Sequence, residues 1–235
     1  MNLDKVNKYI KEFEKTITKP KTNFDKSKFY IGVDLGTANI VITILDKNGK
    51  PVAGATQRSR VVRDGIVVDF MGAISIVRKL KENLEEKLGI EITEAYTAIP
   101  PGVEQGSVKA IVNVIESAGI DVLKVADEPT GGTHMTLVLA GSYGVDFETA
   151  EDIKTDKKKE KEVFVQITPV LQKMASIVKK YIKDYNVKDV FLVGGACSFD
   201  GSEEIFKKEL GLNIYKPYMP IYITPIGIAL AGMKD

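Results

Sequence analysis

The stretch FYIGVDLGTANIVITIL, Phe29 to Leu45, decides how this chain is read. An apolar run, Tyr30-Ile31-Gly32-Val33, ends in Asp34. The small polar segment Leu35-Gly36-Thr37-Ala38-Asn39 follows, and a second apolar run covers Ile40 to Leu45. Two β-propensity runs around a Gly-containing turn predict a hairpin. Such a turn can line up consecutive backbone N–H groups against a phosphate. An acid at the end of the first strand suits hydrated Mg²⁺, which takes one or two carboxylates plus waters and phosphate oxygens. The stretch is neither GxxxxGK[ST] nor GxGxxG. An ordinary hairpin with a glycine turn reads the same way at this point.

Outside this stretch, composition narrows the function classes. The 235 residues make one large domain or two small ones, and 44% apolar content is enough for a real core. With 33 basic against 32 acidic residues, nothing points to nucleic acid. No run is long enough for a membrane span and the N-terminus lacks a signal-peptide core, so the expectation is a cytoplasmic protein. A single cysteine, Cys197, rules out an internal disulfide, and a single histidine, His134, rules out His-pair zinc motifs. No GxSxG occurs.

Periodicity organises the rest. Leu3, Val6, Ile10, Phe13 and Ile17 form one narrow helical stripe, and the polar stretch KPKTNFDKSK after it reads as a linker. That helix either docks on its own domain or serves a groove in another protein; separability from the folded domain is the expectation. Val52 to Val62 predicts a third strand, Asp69 to Leu88 a helix stopped by Gly89, and Ala95 to Ile99 a short strand. Gly106 to Ala118 predicts a helix and Asp121 to Ala126 a strand. Gly131 to Gly144 reads as loop then helix, and Phe147 to Lys154 as a helix. Val163 to Tyr185 predicts a long helix with Val170, Met174, Ile177, Val178 and Tyr181 inside. Val190 to Val193 is a buried strand, Ser202 to Leu210 a helix, Ile214-Tyr215 a strand, and Pro225 to Met233 a terminal helix whose small residues imply close packing.

Taken together, these segments resemble the actin/Hsp70 ATPase superfamily. The motifs that carry the likeness run in order. They are Asp34-Leu35-Gly36-Thr37, Val61-Val62-Arg63-Asp64-Gly65, Ala98-Ile99-Pro100, Asp127-Glu128-Pro129-Thr130, Gly131-Gly132-Thr133-His134, Glu151 with Lys154, Val193-Gly194-Gly195-Ala196, and Thr224-Pro225-Ile226-Gly227. The resemblance covers about residues 28–235. It implies an α/β, RNase H-like fold of two related halves. The expected division is residues 1–27 as helix and linker, 28–128 as the first half, and 129–235 as a second half with the terminal helix.

The resemblance also implies roles. Asp34 would order Mg²⁺ and water, and Glu128 would position the attacking water; a turn acid and a loop acid are the plain alternatives. Gly36, Thr37, Ala38 and Asn39 would offer backbone N–H groups to ATP phosphates. Gly131, Gly132 and Thr133 would approach the terminal phosphate, Glu151 and Lys154 the adenosine, and Gly194 and Gly195 the adenine and ribose. His134 reads as structural and Cys197 as a packed small residue. One departure is plain: the second phosphate loop, a strand ending in Asp-x-Gly-Gly-Gly-Thr, is missing, and Pro129-Thr130 runs straight into Gly131-Gly132. The second half is therefore expected to be truncated, with weak ATP and Mg²⁺ binding and little hydrolysis. The resemblance further implies a chaperone-like role and partners among ethanolamine-utilisation or bacterial microcompartment proteins. A non-catalytic scaffold and a small-molecule kinase are the competing readings, the latter disfavoured by the lack of a substrate-binding insertion.

Overall fold

The computed structural model describes residues 3–63, 66–99, 105–127 and 133–234. In chain order these form α1 (Leu3–Thr18), β1 (Phe29–Leu35), β2 (Asn39–Asp46), β3 (Pro51–Arg58), β4 (Val62–Arg63) and β5 (Ile66–Val67). Next come α2 (Phe70–Leu88), β6 (Glu94–Ile99), α3 (Gln105–Ser117), β7 (Asp121–Asp127), α4 (Thr133–Tyr143) and α5 (Phe147–Thr155). The chain closes with α6 (Glu160–Tyr181), β8 (Asp189–Phe191), α7 (Ser202–Leu210), β9 (Asn213–Tyr215) and α8 (Ile223–Ala231). They gather into two compact units, residues 1–130 with 221–235, and residues 131–220.

The first unit is built on a five-stranded sheet in the order β3-β2-β1-β6-β7. β1–β2 and β2–β3 are antiparallel, while β1–β6 and β6–β7 are parallel. The side-chain period of two decides what each face meets. Ile31, Val33 and Leu35 of β1, Ile40, Ile42 and Ile44 of β2, and Ala53 and Ala55 of β3 share one core with Ala73, Ile74, Val77, Leu80, Leu84 and Leu88 of α2 and with Ile111, Val114 and Ile115 of α3. The opposite face carries a row of small residues in register, Gly32, Thr43 and Gly54. A Cβ on Gly32 would stand 2.7 Å from the Ala229 backbone nitrogen, and one on Gly54 would stand 2.6 Å from the Phe13 ring. So α8 rests directly on β1, and α1 drives Phe13 into the hollow over Gly54.

Helix α2 starts and stops where its chemistry requires. The Asp69 carboxylate accepts from the Gly72 N–H at 2.9 Å, an N-cap on an orphan donor. Gly89 closes it in the left-handed conformation at φ 63°, with its N–H on the Glu85 carbonyl.

The N-terminal helix departs from expectation. It packs within the first unit: Ile10 and Phe13 are fully buried, Phe13 meets Tyr222 edge-on at 5.4 Å, and the Tyr9 hydroxyl donates to the Gly49 carbonyl. The reason is the small-residue row, a tertiary hollow that the helix stripe fills. The terminal helix, grouped with the second half from sequence, likewise belongs to the first unit. The division expected at 128/129 lies outside the described residues.

In the second unit, α4, α5, α6 and α7 surround a sheet that has two strands among the described residues, β8 parallel to β9. Phe191 stacks on Tyr215 across this pair at 5.0 Å. Met135, Leu139, Ala150, Val163, Ile167, Leu171, Ala175 and Phe206 form the core. Ile177 and Tyr181, expected inside, are 45% and 76% exposed. Among the described residues, no strand lies over the last turns of α6, so its stripe runs out into solvent there.

Candidate nucleotide site

In the first unit the candidate segment is the β1–β2 turn. β1 ends at Leu35, β2 begins at Asn39, and Asp34 pairs in register with Val41. The buried Thr97 hydroxyl of β6 donates to the Val33 carbonyl at 2.8 Å and fixes the strand end just before Asp34. Glycine is required at position 36: a Cβ there would stand 2.9 Å from the Asn39 carbonyl oxygen and 3.8 Å from the Asp34 carboxylate. The turn is anchored from outside by the Ser59 N–H on the Ala38 carbonyl at 3.0 Å. Asp34, Gly36, Thr37, Ala38 and Asn39 are thus brought together, half-buried, on one rigid sheet end.

Among the described residues, no group of three or more His, Cys, Asp or Glu side chains is placed to hold a metal ion. Mg²⁺ at this turn would take a single-carboxylate site, with Asp34 as the protein carboxylate and waters and phosphate oxygens as the remaining ligands.

The second unit holds its own candidate residues. Glu151 and Lys154 sit one turn apart on α5, as the sequence predicts, and both are largely buried. Lys154 Nζ stands 2.6 Å from Glu151 Oε2 and donates to Thr136 Oγ1 of α4 at 2.7 Å. Thr136 Oγ1 in turn donates to Glu151 Oε2 at 2.6 Å. Sequence reasoning missed Thr136. Its signal was a lone hydroxyl within the apolar run Met135 to Ala140, one helical turn after the glycine pair.

A further candidate segment of the second unit is the loop after β8. Gly194 adopts φ 88°, a region that favours glycine, and donates its N–H to the Pro220 carbonyl at 3.0 Å. A Cβ on Gly194 or Gly195 would meet nothing within 4 Å, so the backbone here borders open space. The loop is braced behind. Ser202 Oγ donates to the Cys197 carbonyl at 3.0 Å, and Lys216 Nζ donates to the Phe199 carbonyl at 2.9 Å while pairing with Glu203 at 2.5 Å. Burial acts to raise the Glu203 carboxyl, but the hydrogen bond and charge of Lys216, its own backbone N–H and the Ser202 hydroxyl together hold it below the ordinary value. Cys197 is buried beside the loop, and burial pushes its thiol up to about 11, an inert packed residue as expected. Glu128, Gly131 and Gly132 lie outside the described residues; Thr133 opens α4.

Known proteins now give this arrangement a family. The chain is 34% identical to the ethanolamine utilization protein EutJ of Escherichia coli K12, over 89% of this chain and 88% of that one. The solved EutJ structure from Carboxydothermus hydrogenoformans is 37% identical and superimposes with a TM-score of 0.85 over 98% of this chain and 99% of that chain. The chain belongs to the EutJ family. Its fold is the actin/Hsp70 ATPase fold, which extends to MreB5 of Spiroplasma citri, solved with ADP, at 12% identity and TM-score 0.59 over 86% of this chain and 95% of that one. No family model matches the chain. The alignment with the E. coli EutJ runs over 249 positions, more than the 235 residues present here, so the relative carries residues with no counterpart in this chain.

Proposed function

We propose that this chain is a nucleotide-binding protein of ethanolamine utilisation that holds Mg-ATP weakly and turns it over slowly or not at all. The observation that carries the reading is the β1–β2 turn. Gly36 is held where no side chain fits, and Asp34 stands beside it at the end of a buried strand. Backbone N–H groups from Gly36 to Asn39 bind the phosphates. Asp34 orders the Mg²⁺, which when bound offsets phosphate charge. Glu128 positions water. Glu151 and Lys154 serve the adenosine side, with Gly194 and Gly195 along the base and ribose.

Phosphoryl transfer depends mainly on positioning and electrostatics. The second phosphate loop is missing from this sequence. Each hydrogen bond to a charged phosphate contributes about 1.5–3 kcal/mol, so losing two or three weakens affinity by orders of magnitude. The role that follows is chaperone-like, in the cytoplasm, among ethanolamine-utilisation or microcompartment proteins. The sheet of the second unit, two-stranded among the described residues, favours one further reading, a scaffold that keeps the fold without useful nucleotide binding.

Titration calorimetry with Mg-ATP separates them. The nucleotide reading expects saturable binding weaker than micromolar that Asp34→Ala reduces at least tenfold. Absence of heat at millimolar ATP would leave the scaffold. Sub-micromolar affinity with steady turnover unaffected by Asp34→Ala would overturn the site assignment.

A further inference from the structure

The three-way contact between Thr136, Glu151 and Lys154 carries an inference that rests on the nucleotide reading and goes further into the same site. Thr136 lies on α4 and is fully buried, whereas Glu151 and Lys154 lie on α5. One hydroxyl uses both of its capacities here. It donates to Glu151 Oε2 at 2.6 Å and accepts from Lys154 Nζ at 2.7 Å. The same carboxylate oxygen also meets Lys154 Nζ at 2.6 Å. The three polar atoms therefore close a triangle.

A lysine side chain is a point charge on a flexible four-carbon stem, with three rotatable donors and large rotamer entropy. Glu151 Oε2 supplies one anchor for the Lys154 ammonium. The Thr136 hydroxyl adds a second anchor from a different helix. With two of the tetrahedral N–H directions fixed, the third is fixed as well. The cluster also ties α5 to α4, the helix that follows directly on Gly131-Gly132 in the chain.

We infer that Thr136 is a positioning residue of the nucleotide site: it sets the direction of the Lys154 ammonium and the Glu151 carboxylate toward the adenosine side of a bound nucleotide. It touches no phosphate in this account, so its effect belongs to the nucleoside and not to the phosphate chain. Thr136→Val keeps the shape and removes the hydroxyl, and Thr136→Ser keeps the hydroxyl.

The test is calorimetry on the full chain with two probes, Mg-ATP and Mg-tripolyphosphate. Thr136→Val should weaken ATP about tenfold, the loss of one hydrogen bond to a charged group. It should leave tripolyphosphate unchanged, and Thr136→Ser should restore ATP binding. On a Lys154→Met background, Thr136→Val should produce little further loss, because the hydroxyl acts through the lysine. Should the valine protein not fold, Thr136→Cys, whose thiol accepts poorly, gives the same comparison.

An equal loss for both probes, or an undiminished loss on the Lys154→Met background, overturns the positioning role while leaving the nucleotide reading intact. Unchanged ATP affinity in Thr136→Val does the same. A wild-type chain that binds neither probe overturns both.

Discussion

The first unit covers its sheet on both faces; among the described residues, the second has a two-stranded sheet and a long helix whose end is exposed. In the first unit β6 has a partner on each side, β1 and β7, and two helix layers close over the five strands. In the second unit β8 has one described partner, β9, and α6 carries Ile177 and Tyr181 into solvent. The contrast teaches how strongly a helix depends on the sheet under it. α2 and α6 have comparable apolar stripes, yet only α2 buries its stripe to the last turn, where Leu88 is sealed beneath Gly89. Helix stability in proteins comes largely from such packing, not from propensity.

The sharpest way to break this comparison is to attack the completeness of the first unit. Phe13→Ala should destabilise the protein by about 3–5 kcal/mol, since a fully buried ring leaves a cavity over Gly54. Urea unfolding measures it, and an unchanged midpoint would mean that α1 does not complete the sheet face.

Within the second unit the contrast predicts a split along a single helix. Leu171→Ala, at a fully buried position of α6, should cost about 2–5 kcal/mol. Tyr181→Ser, ten residues further along, should stay within about 0.5 kcal/mol because that end is exposed. Equal losses at the two positions would show that the end of α6 is covered after all.

Glycine substitutions sharpen the same point at lower cost. Gly32→Val meets the backbone of α8 and should lose about 1–3 kcal/mol or more by overpacking. Gly195→Ala faces open space and should change stability by less than about 0.5 kcal/mol. Thermal unfolding of both variants against the parent checks the pair.

The smallest effect concerns Cys197. Its folded thiol titrates at about 11 against an ordinary 9.0, so the unfolded chain gives up its proton first as pH rises. Stability from this group is fully present below pH 9 and is lost between 9 and about 11. Native protein should therefore resist alkylation at neutral pH and react promptly once unfolded. Fast labelling of the native chain would show that the braced loop opens.

How far the sequence was legible follows the same division. The hairpin, α2 with Gly89 behind it, and the small-residue terminal helix could be read because each depends on local chemistry: alternation, a helical stripe, a glycine stop. The seat of α1 could not, because it depends on Gly54 lying beside Thr43 and Gly32, a register known only once the strands pair. The end of α6 was misread because periodicity reports which residues share a face and not whether anything covers it. Among the candidate residues, Asp34, the Gly36 turn, and Glu151 with Lys154 were singled out from motifs. Thr136 was not, since one hydroxyl in an apolar helix acquires meaning only when α5 brings a carboxylate and an ammonium to it.

Hydrogen exchange with and without saturating Mg-ATP tests the central claim most directly, because it reads both units at once. The account predicts that Tyr30–Val33 and Ile40–Leu45 are the most protected segments in the free chain. It also predicts that ATP slows exchange in the 34–39 turn and in the Glu151–Lys154 turn of α5. A free chain whose β8–β9 pair is as protected as β1 and β2, or a 34–39 turn indifferent to ATP, would contradict it.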